Sequence, residues 1–173
     1  EGYRGAVTLR TAFAQSINTV AAEVANEIGP SRVADTARRL GITGMPERNQ
    51  FTPPSISLGS IETTLWEMTS AFAVYMADGH RIDPHIVTAV YNSSGQELYR
   101  RPAYEGPRVL DESVVLRMNS MMGAVVLRGT GTGARLEGRD VAGKTGTSSD
   151  WRDAWFVGYS ADIAAAIGYE KWR

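Results

Sequence analysis

The apolar residues of this 173-residue chain change period part-way along it, and that change restricts the folds open to it. In the first two-thirds they recur at helical spacing: Phe13, Ile17, Val20, Val24 and Ile28, then Ile61, Leu65, Met68, Phe72 and Tyr75, then Val115, Met118, Met122 and Val125. In the last third they fall into short runs around Val141, at 154–159 and at 163–169, divided by turn-forming residues, which is the pattern of antiparallel strands. Helices followed by such strands predict an α+β domain, a mostly antiparallel sheet packed with helices.

Local signals place the boundaries. A helical stretch over 7–28 stops at Gly29 and Pro30. Inside it, Gln15 to Thr19 is rich in cap-forming residues and would serve equally as the joint between two shorter helices. A second helix is expected over 32–40 with Ser31 as cap and Gly41 as stop, followed by a loop carrying Pro46, Pro53 and Pro54. The spacing predicts a further helix over 61–77, closed by Gly79, with its apolar stripe in the core. Residues 85–91 and 96–100 read as a hairpin about the turn Asn92–Gly95 with an exposed outer face. A last helix follows Asp111 and ends at Gly129, where Met118, Met121 and Met122 read as gap-filling core.

Composition removes several functions. A formal net charge of -1 and scattered arginines offer nothing to a polyanion, so no nucleic-acid partner is expected. With no Cys and only His80 and His85, thiolate catalysis, iron-sulfur clusters and nearly all zinc constellations are out. His80, Asp83 and His85 could be imagined as metal ligands, but polar residues of a Pro-containing turn are the simpler reading, so no metal and no cofactor is expected. Hydrophobic content of 43% suits one globular domain. No apolar run approaches the roughly 20 residues of a membrane helix, and the start at Glu1 shows no apolar leader.

The stretch GRDVAGKTGTSSD, from Gly138 to Asp150, satisfies GxxxxGK[ST], a loop that cradles nucleotide phosphates when a buried strand enters it and a helix leaves it. Neither condition is met by the sequence. Upstream lies the Gly-rich, charged GTGARLE, and downstream Gly146, Thr147, Ser148, Ser149 and Asp150 are poor helix starters before the strand-like DAWFVGY. A sheet edge explains the same residues better. Exposed strand amides can pair with an extended substrate, Gly146 lets it approach, and Lys144, Thr145 and Thr147 supply a positive charge and hydroxyls for a carboxylate. That chemistry recognises a peptide end.

Lys144-Thr145-Gly146 resembles the KTG box of the penicillin-recognising serine acyltransferases, and Ser16-Ile17-Asn18 resembles their SxN box at a helix junction. The flanks TLRTAFAQSINTVA, SLGSIETT, RGTGTGA and AGKTGT with DAWFVGY are similar to segments of bifunctional, high-molecular-weight penicillin-binding proteins. The likeness runs from Val7 to about Tyr169. The resemblance implies a β-lactamase/transpeptidase-like fold, incomplete here, with residues 1–173 as a partial transpeptidase domain. It also implies roles: Ser16 relays a proton, Asn18 holds a stem-peptide amide, Lys144 tunes the charge, Thr145 and Thr147 bind the terminal carboxylate, and the Thr147 amide faces the oxyanion. The expected partners are a peptidoglycan stem peptide and β-lactam antibiotics. The expected location is the extracytoplasmic, periplasmic face of the bacterial inner membrane, tethered through an N-terminal helix outside these residues. Against these stand plainer readings: Ser16 and Asn18 as helix caps, and Lys144 as an ordinary exposed strand lysine.

The resemblance also exposes a gap. The family's nucleophile is the serine of an SxxK box ahead of SxN, yet Lys144 and Lys171 are the only lysines and are preceded three places earlier by Val141 and Gly168. No SxxK occurs in the sequence. The chain alone is therefore expected not to turn over, the nucleophile being supplied by an upstream segment of the same parent protein or by a separate chain. A non-catalytic peptide-binding or scaffolding module with the same fold is the alternative.

Overall fold

The computed structural model describes residues 5–148 and 153–170. Glu1, Ser149, Asp150 and Lys171, used above, lie outside the described residues. The first helical stretch divides in two at its cap-rich middle. Helix α1 (Leu9–Ala14) is capped by Thr8, whose side chain accepts from the Thr11 amide. It closes when the Ser16 amide donates to the Phe13 carbonyl (3.1 Å) and the Ile17 amide to the Ala12 carbonyl (3.0 Å). Helix α2 (Asn18–Ile28) then starts after Ile17 and ends at Gly29. Helix α3 (Pro30–Leu40) begins at Pro30 itself, so Ser31 is inside it and not its cap: a first-turn N–H has no intrahelical partner, and proline forfeits nothing there. Gly41, in the left-handed region at φ 103°, closes it as expected.

A 3₁₀ turn (Pro54–Leu58) leads towards helix α4 (Leu65–Met76), which starts one turn later than the apolar spacing predicts. Thr64 and Glu67 form a reciprocal capping box, so Ile61 lies ahead of the helix. Its anticipated stripe is only partly core. Leu65 is exposed, Met68, Phe72 and Tyr75 are half-buried, and the fully buried positions are Ala71, Ala73 and Val74, small side chains that let neighbouring elements come close. Val74 packs with Leu110 and Val115, and Leu40, Tyr75 and Val109 close around them.

The hairpin is shorter than expected, β1 (Ala89–Tyr91) with β2 (Glu97–Arg100), and stands apart from the main sheet, which leaves both its faces largely exposed. Helix α5 (Glu112–Arg128) follows Asp111 and buries Val115, Met122, Ala124, Val125 and Val126. Met118 and Met121 are half-buried, so of the three methionines Met122 is the one sealed in the core.

The main sheet is antiparallel in the order β3 (Ala142–Thr147), β4 (Asp153–Tyr159), β5 (Ala164–Glu170), and among the described residues β3 is an edge. The register sets Lys144 opposite Val157, and Val157 opposite Ala166. Helix α5 packs on β3, and α4 packs on β4 and β5. Val157 and Tyr159 are buried on the way; the Tyr159 ring stacks on Tyr75 at 6.5 Å, and its hydroxyl donates to the Asn119 side chain. Among the described residues no helix is long and apolar enough to cross a membrane.

Candidate active site

Two parts of the sequence that are distant in the chain meet at the corner between α1 and α2. The loop closing α1 needs a left-handed residue at the place usually given to glycine, and here it is Ser16, with φ 54°. A side chain there costs on the order of 1 kcal/mol relative to glycine. What it gains is position: Lys144 Nζ donates to Ser16 Oγ at 2.8 Å. The same ammonium donates to the Thr145 carbonyl at 2.9 Å and lies 5.8 Å from the centre of the Phe13 ring. Burial lowers the Lys144 pKa from its ordinary 10.5, because a desolvated ammonium is disfavoured. Neither plain reading of these residues survives. The residue preceding α2 is Ile17, which makes no side-chain cap, and Lys144 is half-buried and engaged.

Strand β3 supplies an edge with a defined polarity. In an antiparallel ladder, hydrogen-bonded pairs alternate with pairs that do not exchange bonds. The Ser148 amide donates to the Asp153 carbonyl (3.1 Å), one step beyond the last registered pair, Thr147 with Ala154. Counting back by twos, Gly146 and Lys144 face β4, while the amides and carbonyls of Thr147, Thr145 and Gly143 face the open edge. The Thr145 carbonyl is the one that Lys144 takes. The two glycines of the strand differ in kind. A Cβ on Gly143 would come within 2.7 Å of the Phe156 ring and of the Val157 carbonyl, so its absence is a packing requirement. Among the described residues a Cβ on exposed Gly146 would meet nothing nearer than Trp155 Cβ at 3.8 Å, so their packing does not demand glycine there.

Of the residues singled out from the sequence, the structure joins Ser16 and Lys144 directly, with Thr145 adjoining through its carbonyl. Asn18 opens α2 with an exposed side chain, and Gly146 and Thr147 are exposed on β3. Sequence reasoning assigned no role to Thr130, whose hydroxyl lies 2.6 Å from that of Thr145. Its only signal was its place in RGTGTGA. Phe13, counted as one apolar residue of a helical stripe, was missed in the same way.

The phosphate-loop pattern has no matching geometry: the chain leaves its glycines as strand β3, and Lys144 belongs to that strand. His80 and His85 each use Nδ1 on a nearby backbone carbonyl, of Ala77 and Asp83 respectively. No cluster of potential metal ligands occurs among the described residues.

Residues 1–168 match the family described as penicillin binding protein transpeptidase domain. The chain is 32% identical over 97% of its length to penicillin-binding protein 1A of Rickettsia prowazekii, and 35% identical over 98% to that of Neisseria meningitidis serogroup A. It spans 24% and 22% of those proteins. Among solved structures, PonA1 of Mycobacterium tuberculosis superimposes with a TM-score of 0.83 at 28% identity, covering 97% of this chain and 48% of that one. Penicillin-binding protein 1A of Haemophilus influenzae, at 21% identity, shares the fold with a TM-score of 0.82, covering 94% of this chain and 29% of that one. With most of its length matched by the family and by relatives above 30% identity, this chain belongs to the penicillin-binding protein transpeptidase domain family.

Proposed function

We propose that this chain is the substrate-binding and proton-relay part of a serine-type D,D-transpeptidase, which cross-links peptidoglycan stem peptides by acyl transfer at the periplasmic face of the inner membrane and is acylated by β-lactams. The observation that carries the reading is the contact between Ser16 and Lys144, two groups separated by 128 residues and joined at 2.8 Å. Because the ammonium donates to Ser16 Oγ, the hydroxyl proton of Ser16 is free to move to a leaving amine, and Lys144 can replace it. The stem peptide lies along the β3 edge, its amide held by Asn18 and its terminal carboxylate by the hydroxyls of Thr145 and Thr147. Gly146 leaves room for it. The outward Thr147 amide faces the oxyanion of the tetrahedral intermediate, a kind of interaction worth roughly 3 to 4 kcal/mol. Likeness to PonA1, solved in complex with penicillin V, supports β-lactam binding.

The attacking hydroxyl comes from outside these 173 residues, since the sequence holds no SxxK. Labelled penicillin tests the whole reading. A covalent adduct is expected on a parent protein that includes an upstream SxxK segment, and none on the 173-residue chain. Loss of the adduct from that parent after Lys144→Ala, with folding intact, is the second expected result. A parent protein that stays unlabelled leaves the non-catalytic peptide-binding module as the better description.

A further inference from the structure

Among the described residues, the hydroxyl of Thr130 is the one polar contact to the proposed carboxylate-binding threonines that the roles above leave unused. We infer that Thr130 is a positioning residue: its O–H donates to Thr145 Oγ1 and so directs the single Thr145 hydroxyl proton outward to the carboxylate of a bound peptide. The inference rests on the proposed role of Thr145. A threonine hydroxyl has one proton and two lone pairs. If Thr145 spent its proton on Thr130, it would turn lone pairs towards an anion and repel it. With Thr130 as donor across the 2.6 Å contact, the Thr145 proton is left for the ligand and is polarised by the bond it accepts.

Thr130 is held for this by its surroundings. Its amide donates to the Ala14 carbonyl at the end of α1 (3.1 Å), and the Gly131 amide returns to the Val125 carbonyl of α5 (3.1 Å). Gln15 Nε2 reaches the Arg128 carbonyl (3.3 Å), tying the same loop to the residue before Ser16. At Gly129 a Cβ would fall 2.1 Å from the Ala14 carbonyl oxygen, an approach that only glycine permits. The turn that carries Thr130 is thus clamped between the two helices, and its hydroxyl is exposed beside the β3 edge. The clamp links the Ser16 corner and the Thr145 hydroxyl as one unit.

The test uses the 173-residue chain and two probes, an N-acetyl dipeptide with a free C-terminal carboxylate and the same dipeptide as its C-terminal amide, titrated by NMR. The wild-type chain is expected to prefer the acid, and Thr130→Val to reduce that preference roughly fivefold, the loss of one neutral hydrogen bond. Thr130→Ser, which keeps the hydroxyl, is expected to restore it. Amide binding should change little, which a general loosening of the loop would not produce. A full acid preference in Thr130→Val, or an equal loss in Thr130→Ser, overturns the inference while leaving the Thr145 role intact. No acid preference in the wild type removes the Thr145 role itself, and the inference with it.

Discussion

Ser16 meets Lys144 from a left-handed backbone: its φ is 54°, and its Oγ accepts from Nζ at 2.8 Å. Strain of this kind persists where function requires a side chain at a position that favours glycine. Ser16→Gly should therefore be more stable than Ser16→Ala by about 1 kcal/mol, although both lose the contact to Lys144. Chemical denaturation of the two variants measures the difference. An Ala variant as stable as the Gly variant would show that the corner carries no strain.

Lys144 gives the fold a pH dependence of predictable sign. Its folded pKa is lowered by burial, whereas the unfolded chain keeps the ordinary 10.5. Below the lowered value both states are protonated, and the folded state bears the whole cost of desolvating the ammonium. Between that value and 10.5 the unfolded state binds more protons, so this group's contribution to stability rises with pH. Lys144→Met should remove the cost, and its advantage over the wild type should shrink as pH climbs through that window. Unfolding curves of both proteins from neutral to alkaline pH check it.

The two glycines of β3 should separate packing from recognition. Gly143→Ala pushes a methyl group against the Phe156 ring and the Val157 carbonyl and should destabilise the fold by roughly 2 kcal/mol. Gly146→Ala adds a methyl group at ordinary contact distance from Trp155 Cβ and should stay within about 0.5 kcal/mol of the parent. If a ligand strand lies over Gly146, that stable variant should nevertheless lose affinity for the free-acid dipeptide. Thermal melts and the NMR titration together distinguish the two effects.

Glu67 should make the start of α4 acid-sensitive. Hydrogen bonds from the Thr43 side chain and amide, then from Thr64, hold its carboxyl at about 2, against an ordinary 4.5. Stabilisation of this sort is fully present above 4.5 and fades as pH falls towards about 2. The gap in melting temperature between wild type and Glu67→Gln should therefore be largest near neutral pH and close on acidification.

The α+β class and the order of the elements were legible in the sequence because apolar period follows secondary structure, and the Ser16 to Asn18 and Lys144 to Gly146 triplets contained the two residues, Ser16 and Lys144, that meet in the candidate site. Boundaries set by side-chain chemistry were harder to read. The Thr64–Glu67 box overrode the apolar repeat that began at Ile61, and Pro30 opened a helix it was expected to precede. Thr130 stayed hidden for a different reason. Its importance lies in a contact across 15 residues of chain, created by a turn clamped between α1, α5 and β3, and no local pattern encodes such a meeting.

The outward amides and carbonyls of β3 occur at every second residue. A chain docking there can slide only in two-residue steps, since a shift of one would turn its side chains to the opposite faces. For a peptide that binds as proposed, the edge would thereby be a ruler with dipeptide graduations, rejecting a substrate for its phase as well as for its chemistry.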